Sequence, residues 1–189
     1  MPTPIERYLG ALDRLGAVVD AVPPDRWDDP TPCPDWSARQ LLGHLVDGQV
    51  QVLAMVGDDG PRRPVTDPGG LGALAGPDPA ASWRRAHEEA AATLAGVAPT
   101  AVVTTPLGPR TVEQLLGLAL VEPVVHSWDL ATATGQPADL DPEAVAALLP
   151  GVLALGGELQ GTGVYGAAVP VADDAPAQDR LLAALGRGR

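Results

Sequence analysis

Apolar residues recur at helical spacing through most of the chain. Ile5, Tyr8, Leu9, Leu12, Leu15 and Val19 form one stripe, which predicts a first helix over about residues 4–21. The Pro-rich stretch of residues 22–34 ends it. A second helix is predicted from Ser37 to about Val56, opening on the capping-box pattern Ser37-Ala38-Arg39-Gln40, in which hydroxyl and amide satisfy each other's orphan backbone donors. Its stripe is Leu41, Leu45, Val52 and Val56, flanked by Leu42 and Leu53. Residues 57–79 are rich in Gly and Pro and follow no period, which reads as a functional loop or lid, or as disorder. A third helix is predicted over about residues 80–95, with Trp83, Ala90 and Leu94 on one face. Residues 101–109 read as a short extended piece and a turn. A fourth helix opens on a second capping box, Thr111 with Gln114, and stops at Gly135. Asp141-Pro142-Glu143 starts a fifth, which Pro150 and Gly151 are expected to break or kink. A tail through Val169-Pro170-Val171 leads to a short helix at about residues 177–185. The predicted fold is all-α, an up-down four-helix bundle with irregular loops and a short C-terminal helix or tail, in a single domain spanning residues 1–189.

Length and composition fit that picture: 189 residues can bury a real core, and 46% hydrophobic residues exclude wholesale disorder. No apolar run approaches the roughly 20 residues of a membrane span. The first residues lack the basic and apolar regions of a secretory signal, so a cytoplasmic protein is expected. The formal charge of −12 repels phosphate backbones and anionic lipid, and Arg62-Arg63 and Arg84-Arg85 are too small to reverse that. Neither nucleic acid nor a membrane is an expected partner; a small molecule is, with the chain a monomer or homodimer. All twelve basic residues are arginine, and Phe and Asn are absent, as codon bias in a high-GC genome produces. Cys33 stands alone, so no intramolecular disulfide and no cysteine-rich zinc site can form, and a metal site must use His and carboxylates.

The fourth predicted helix carries the candidate chemistry. Leu115, Ala119, Glu122, His126, Leu130 and Ala133 fall within a sector of roughly 80° on a helical wheel. The opposite side is apolar too, and a helix apolar all round is a buried one. A buried carboxylate needs compensation, which a cation supplies. Glu122 and His126, four residues apart, lie within reach of one ion. A Glu–His hydrogen bond inside the core is the plainer alternative. His44, within the second helix, adds a third donor: two imidazoles and one carboxylate make a three-ligand zinc set that leaves a fourth position to water or substrate. His87 reads as structural or pocket-lining. Asp129, three residues past His126, reads as a partner to an imidazole or as half of a surface ion pair, and Asp47 stands in the same relation to His44. Cys33 is not expected as a ligand, because the helical rise from Ser37 to His44 is about 10 Å, and it reads as a small packed residue in a fixed turn.

Three stretches resemble one family. Thr31-Pro32-Cys33-Pro34-Asp35-Trp36 running on to His44, and Val121-Glu122-Pro123-Val124-Val125-His126-Ser127-Trp128-Asp129, are similar to signatures of the metal-binding N-terminal domain of mycothiol-dependent maleylpyruvate isomerases, in the DinB/YfiT-like metalloprotein superfamily. The closing Asp173 to Leu182 is similar to the end of a short, uncharacterised branch of that family. The resemblance implies a four-helix bundle with a divalent metal, zinc first and nickel as the alternative, held by His44, Glu122 and His126. It also implies mycothiol or another low-molecular-weight thiol as cosubstrate. Two departures stand out. Only about fifty residues follow the fourth helix, where the isomerase has a C-terminal domain, and Pro123 directly after Glu122 is expected to kink the ligand helix. The functions in competition are a metal-dependent, thiol-using transferase or isomerase on a small molecule, a non-catalytic metal- or ligand-binding module, and a helical protein with a Glu–His core network.

Overall fold

The structure, a computed structural model, describes residues 2–57, 59–156 and 166–188. The fold is all-α apart from one small hairpin. Two compact units make up the chain, Met1–Ala138 and Asp139–Arg189. The first holds α1 (Pro4–Asp20), α2 (Ala38–Val56), α3 (Pro68–Ala75), α4 (Pro79–Leu94), the hairpin of β1 (Val102–Thr105) and β2 (Gly108–Thr111), then α5 (Val112–Ala119) and α6 (Val121–Thr134). The second holds α7 (Pro142–Leu155) and α8 (Ala177–Ala184), packed on each other. Among the described residues no helix is long and apolar enough to cross a membrane.

Local chemistry sets the helix ends. Ser37 with Gln40 and Thr111 with Gln114 form the capping boxes that their spacing predicts, and Thr3 with Glu6 forms another at the start of α1. Gly135 closes α6 in the left-handed region, φ 74°, where a Cβ would be strained. The stripes then meet: α1 and α2 each pack on both α4 and α6, enclosing Leu12, Leu15, Leu41, Leu45, Trp83 and Leu130. Each such leucine contributes on the order of 2 kcal/mol on leaving water.

The break expected at Pro123 is present, and other features depart from the sequence pattern for physical reasons. The fourth predicted helix is two, α5 and α6, divided at Leu120, three residues before Pro123. Proline donates no hydrogen bond to the carbonyl of Ala119 and crowds it, so the chain turns there. Leu118 is 53% exposed, so this segment is not buried all round. By contrast, α7 runs through Pro150 and Gly151 to Leu155 without ending. Pro150 and the Ala146 carbonyl that loses its donor both lie on an exposed face, where water can serve that carbonyl.

The aperiodic stretch of residues 57–79 contains α3. Its sequence, Pro68 to Ala75 with three glycines, has too short an apolar pattern to register as a helix, yet Leu71 and Ala75 are fully buried. Gly43 of α2 makes this possible: a Cβ there would stand 1.8 Å from the Leu71 carbonyl oxygen. Asp47 accepts from the Val65 backbone N–H at 3.1 Å, and Arg39 donates to the Gly76 carbonyl at 2.6 Å. Held at both ends, α3 is a packed part of the core. The extended piece and turn predicted before the fourth helix form the antiparallel hairpin β1–β2, paired from Val102↔Thr111 to Thr105↔Gly108.

Candidate metal centre

The capped start of α2 and the Pro123 turn aim three side chains at one point. His44, two turns into α2, and Glu122 and His126, one turn apart on α6, present their donor atoms within 4.8 Å of one another. His44 Nε2 donates to Glu122 Oε2 at 2.8 Å, and His126 Nε2 lies 3.2 Å from that same oxygen. One carboxylate oxygen thus receives both imidazoles. The side chain of Glu122 keeps 32% of its surface exposed, more than an all-apolar helix predicts. His126 is buried.

Behind His126 stands a second layer. Asp129, fully buried, accepts from His126 Nδ1 at 2.8 Å, so a partner to the imidazole is what the structure supports and a surface ion pair is not. This contact fixes the ring and turns Nε2 toward Glu122 and His44. The Cys33 thiol donates to the same Asp129 oxygen at 3.3 Å and lies 3.7 Å from His126 Nδ1. Cys33, His126 and Asp129 also lie close enough to one another to hold an ion. The distance argument that set Cys33 apart measured along α2 to His44; the turn instead folds across to α6. Hydrogen bonds hold that turn: Thr31 Oγ1 lies 3.2 and 2.9 Å from the Cys33 and Trp36 carbonyl oxygens and accepts from the Cys33 N–H. It also lays Trp36 on His44, ring centroids 4.7 Å apart. Spacing along the chain did not mark Cys33 and Trp36 as neighbours of the site; the signal that could have is their place in the Thr31–His44 stretch that resembles a metal-binding signature.

The remaining candidates lie elsewhere. Asp47 holds Val65 instead of orienting His44. His87 pairs with Asp13 at 3.2 Å, away from the other two histidines. A cavity of about 30 Å³ adjoins His44 and Glu122 and is bounded by Tyr8, Gly48, Gln49 and Ala119. No described residue of 57–79 lines it. Tyr8 donates to Gln49 Oε1 at 3.2 Å, and burial raises its phenol far above the ordinary value, which keeps it neutral.

The charges are mutually arranged. Burial alone would raise the Glu122 carboxyl, but hydrogen bonds from His126 and His44, and their charge, hold it well below the carboxylate range. Burial alone would lower the His126 imidazole, but its bonds to Asp129, Cys33 and Glu122 hold it well above 6.5. With no ion bound, Glu122 contributes stability above pH 4.5, lost as pH falls through its lowered folded value. His126 contributes below pH 6.5, lost as pH rises through its raised folded value. Both contributions are complete only between pH 4.5 and 6.5, so chelator-treated protein should have its highest urea midpoint in that window. His126→Asn should flatten the alkaline decline; equal alkaline slopes for the two proteins would count against this assignment.

The comparisons with known proteins point one way. The sequence matches the profile of the family described as Mycothiol maleylpyruvate isomerase N-terminal domain over residues 8–131. Two uncharacterised proteins of Mycobacterium tuberculosis, from strains CDC 1551 / Oshkosh and ATCC 25618 / H37Rv, are each 34% identical over 191 residues, covering 97% of this chain and 97% of theirs. Among solved structures, the mycothiol-dependent maleylpyruvate isomerase shares the fold with a TM-score of 0.67 at 14% identity, and a histidine-to-alanine mutant of it aligns at 0.61. The sequence pattern set the residues after the ligand helix apart from that enzyme, yet the alignment covers 100% of this chain and 93% of that one. On the profile match and the full-length relatives, this chain belongs to the mycothiol maleylpyruvate isomerase N-terminal domain family.

Proposed function

We propose that this protein holds one divalent metal ion between His44, Glu122 and His126, zinc first and nickel as the alternative. Around that ion it acts as a thiol-using transferase or isomerase on a small molecule. The observation that carries this reading is the convergence of two imidazole Nε2 atoms on one Glu122 oxygen, at 2.8 and 3.2 Å, with the other nitrogen of His126 already committed to Asp129. The donor set fits: two nitrogens and one carboxylate oxygen suit a borderline-soft ion and leave a coordination position for a further ligand. A bound ion supplies Lewis acidity, lowering the pKa of a coordinating thiol and polarising a carbonyl.

The chain's own residues do the rest. Asp129 holds His126 in one tautomer, and the Cys33 thiol in turn holds Asp129. Trp36 covers one face of His44 and limits its rotation. The cosubstrate proposed is mycothiol or another low-molecular-weight thiol, as the isomerase's name describes for that enzyme.

The test is elemental analysis of untagged protein, followed by thiol titration of the cobalt-substituted form. About one metal per chain and a new sulfur-to-cobalt band are expected. Protein that takes up no zinc, nickel or cobalt would leave Glu122 and its histidines as a hydrogen-bonded core network. Asp129→Asn is expected to weaken metal affinity by about 10- to 100-fold while the helical circular dichroism persists. An unchanged affinity would show that Asp129 does not position His126 for the ion.

A further inference from the structure

We propose that Gly48 is a specificity-determining residue of this centre, keeping open a narrow apolar approach to His44 and Glu122 that admits an unbranched thiol and excludes one branched beside its sulfur. This rests on the reading above, that the three side chains hold a metal and that a small thiol is the cosubstrate.

Gly48 lies four residues beyond His44 on α2, so the two share a face, and both line the same cavity. A helix interior disfavours glycine more than any residue but proline. The other interior glycine of α2 has a packing reason, since a Cβ on Gly43 would strike the Leu71 carbonyl. Gly48 has no such reason: a Cβ there would meet nothing within 4 Å. What the missing side chain leaves is the space beside the candidate ligands.

That space has a definite character. At about 30 Å³ it is narrow, so a methylene should pass more readily than a tertiary carbon. Leu45, Val52 and Ala119 make its lining mostly apolar, and Tyr8 and Gln49 already hydrogen-bond each other. A strongly hydrated oxyanion would lose its water there for little return, whereas sulfur on a methylene is weakly hydrated and soft enough for zinc.

The experiment titrates cobalt-substituted protein with ethanethiol and with 2-methylpropane-2-thiol, which share a donor atom and differ in branching. The thiol's proton passes to the buffer, and the sulfur-to-cobalt charge-transfer band reports binding. Wild-type protein should bind ethanethiol at least about tenfold more tightly than the branched thiol. Gly48→Ala should weaken ethanethiol binding by about tenfold, and Gly48→Val should remove it, with cobalt stoichiometry and the ligand-field spectrum unchanged before thiol is added. Ala119→Val narrows the cavity from the opposite wall and should act alike, so the outcome does not hang on one variant folding. Equal affinities for the two thiols, or ethanethiol affinity unchanged in Gly48→Ala and Ala119→Val, overturn the proposal. Cobalt bound without any thiol band overturns it while leaving the metal assignment standing. A wild-type chain that binds no cobalt overturns both.

Discussion

His126→Ala is expected to lower metal affinity by more than about 100-fold and also to destabilise the protein. The first effect follows from the donor set, because losing a ligand should exceed the 10- to 100-fold loss typical of an outer partner. The second follows from what stands behind it. Asp129 is fully buried and accepts from the imidazole at 2.8 Å, so the alanine removes one partner of a buried charge pair. Such a break costs about 3–5 kcal/mol. His44→Ala should separate the two effects, because its side chain is 30% exposed and hydrogen-bonds Glu122, which is itself partly exposed. It should lose metal to a similar extent with a much smaller change in the urea midpoint of the metal-free protein. Isothermal titration with zinc and urea unfolding of both variants measure this. Full metal occupancy in either variant would refute the ligand assignment.

Gly43→Ala is expected to be among the most damaging single-methyl additions in the chain. The new Cβ would stand 1.8 Å from the Leu71 carbonyl oxygen, a backbone atom that cannot swing aside as a side chain could. Either α3 lifts off α2, exposing Leu71 and Ala75, or α2 shifts with His44 on it. Overpacking together with the lost burial amounts to about 3 kcal/mol or more. Gly48→Ala, five residues on along the same helix, is the control. Its Cβ meets nothing within 4 Å, so it should be neutral or stabilising by up to about 1 kcal/mol. Hydrogen exchange of the α3 amides distinguishes lifting of that helix from a shift of α2. Equal stability for the two variants would mean that α3 is not packed against Gly43.

Much of the fold could be read from the residue pattern, because helix ends are set by short-range chemistry. Capping boxes act over three residues, and Gly135 stops α6 through its own φ. The stripes that bury Leu12, Leu41 and Leu130 follow a period that the chain carries along its length. Where that local information is thin, the reading ran out. Residues 68–75 have few side chains to set a period, and the space left by Gly43, a distant partner, makes them a helix in the core. Pro150 and Gly151 were expected to break or kink their helix; it does not end there, because Pro150 and Ala146 are exposed and water can serve the deprived carbonyl, and solvent exposure is a property of the packed chain.

The candidate site divides in the same way. His44, Glu122 and His126 stood out in the sequence because charged or basic groups on apolar helices require compensation, and the i, i+4 spacing of the last two is local. Only the tertiary structure decided that His44 reaches the same oxygen as His126, across 78 residues of chain from Glu122. It also decided that Asp129 turns inward while Asp47 is taken by Val65, though both stand three residues after a histidine. The same holds for Cys33, brought to Asp129 from 96 residues away by a turn whose destination depends on how α2 and α6 pack. The reason is physical: spacing determines which groups share a helix face, but which face meets which is settled by the burial of the whole core.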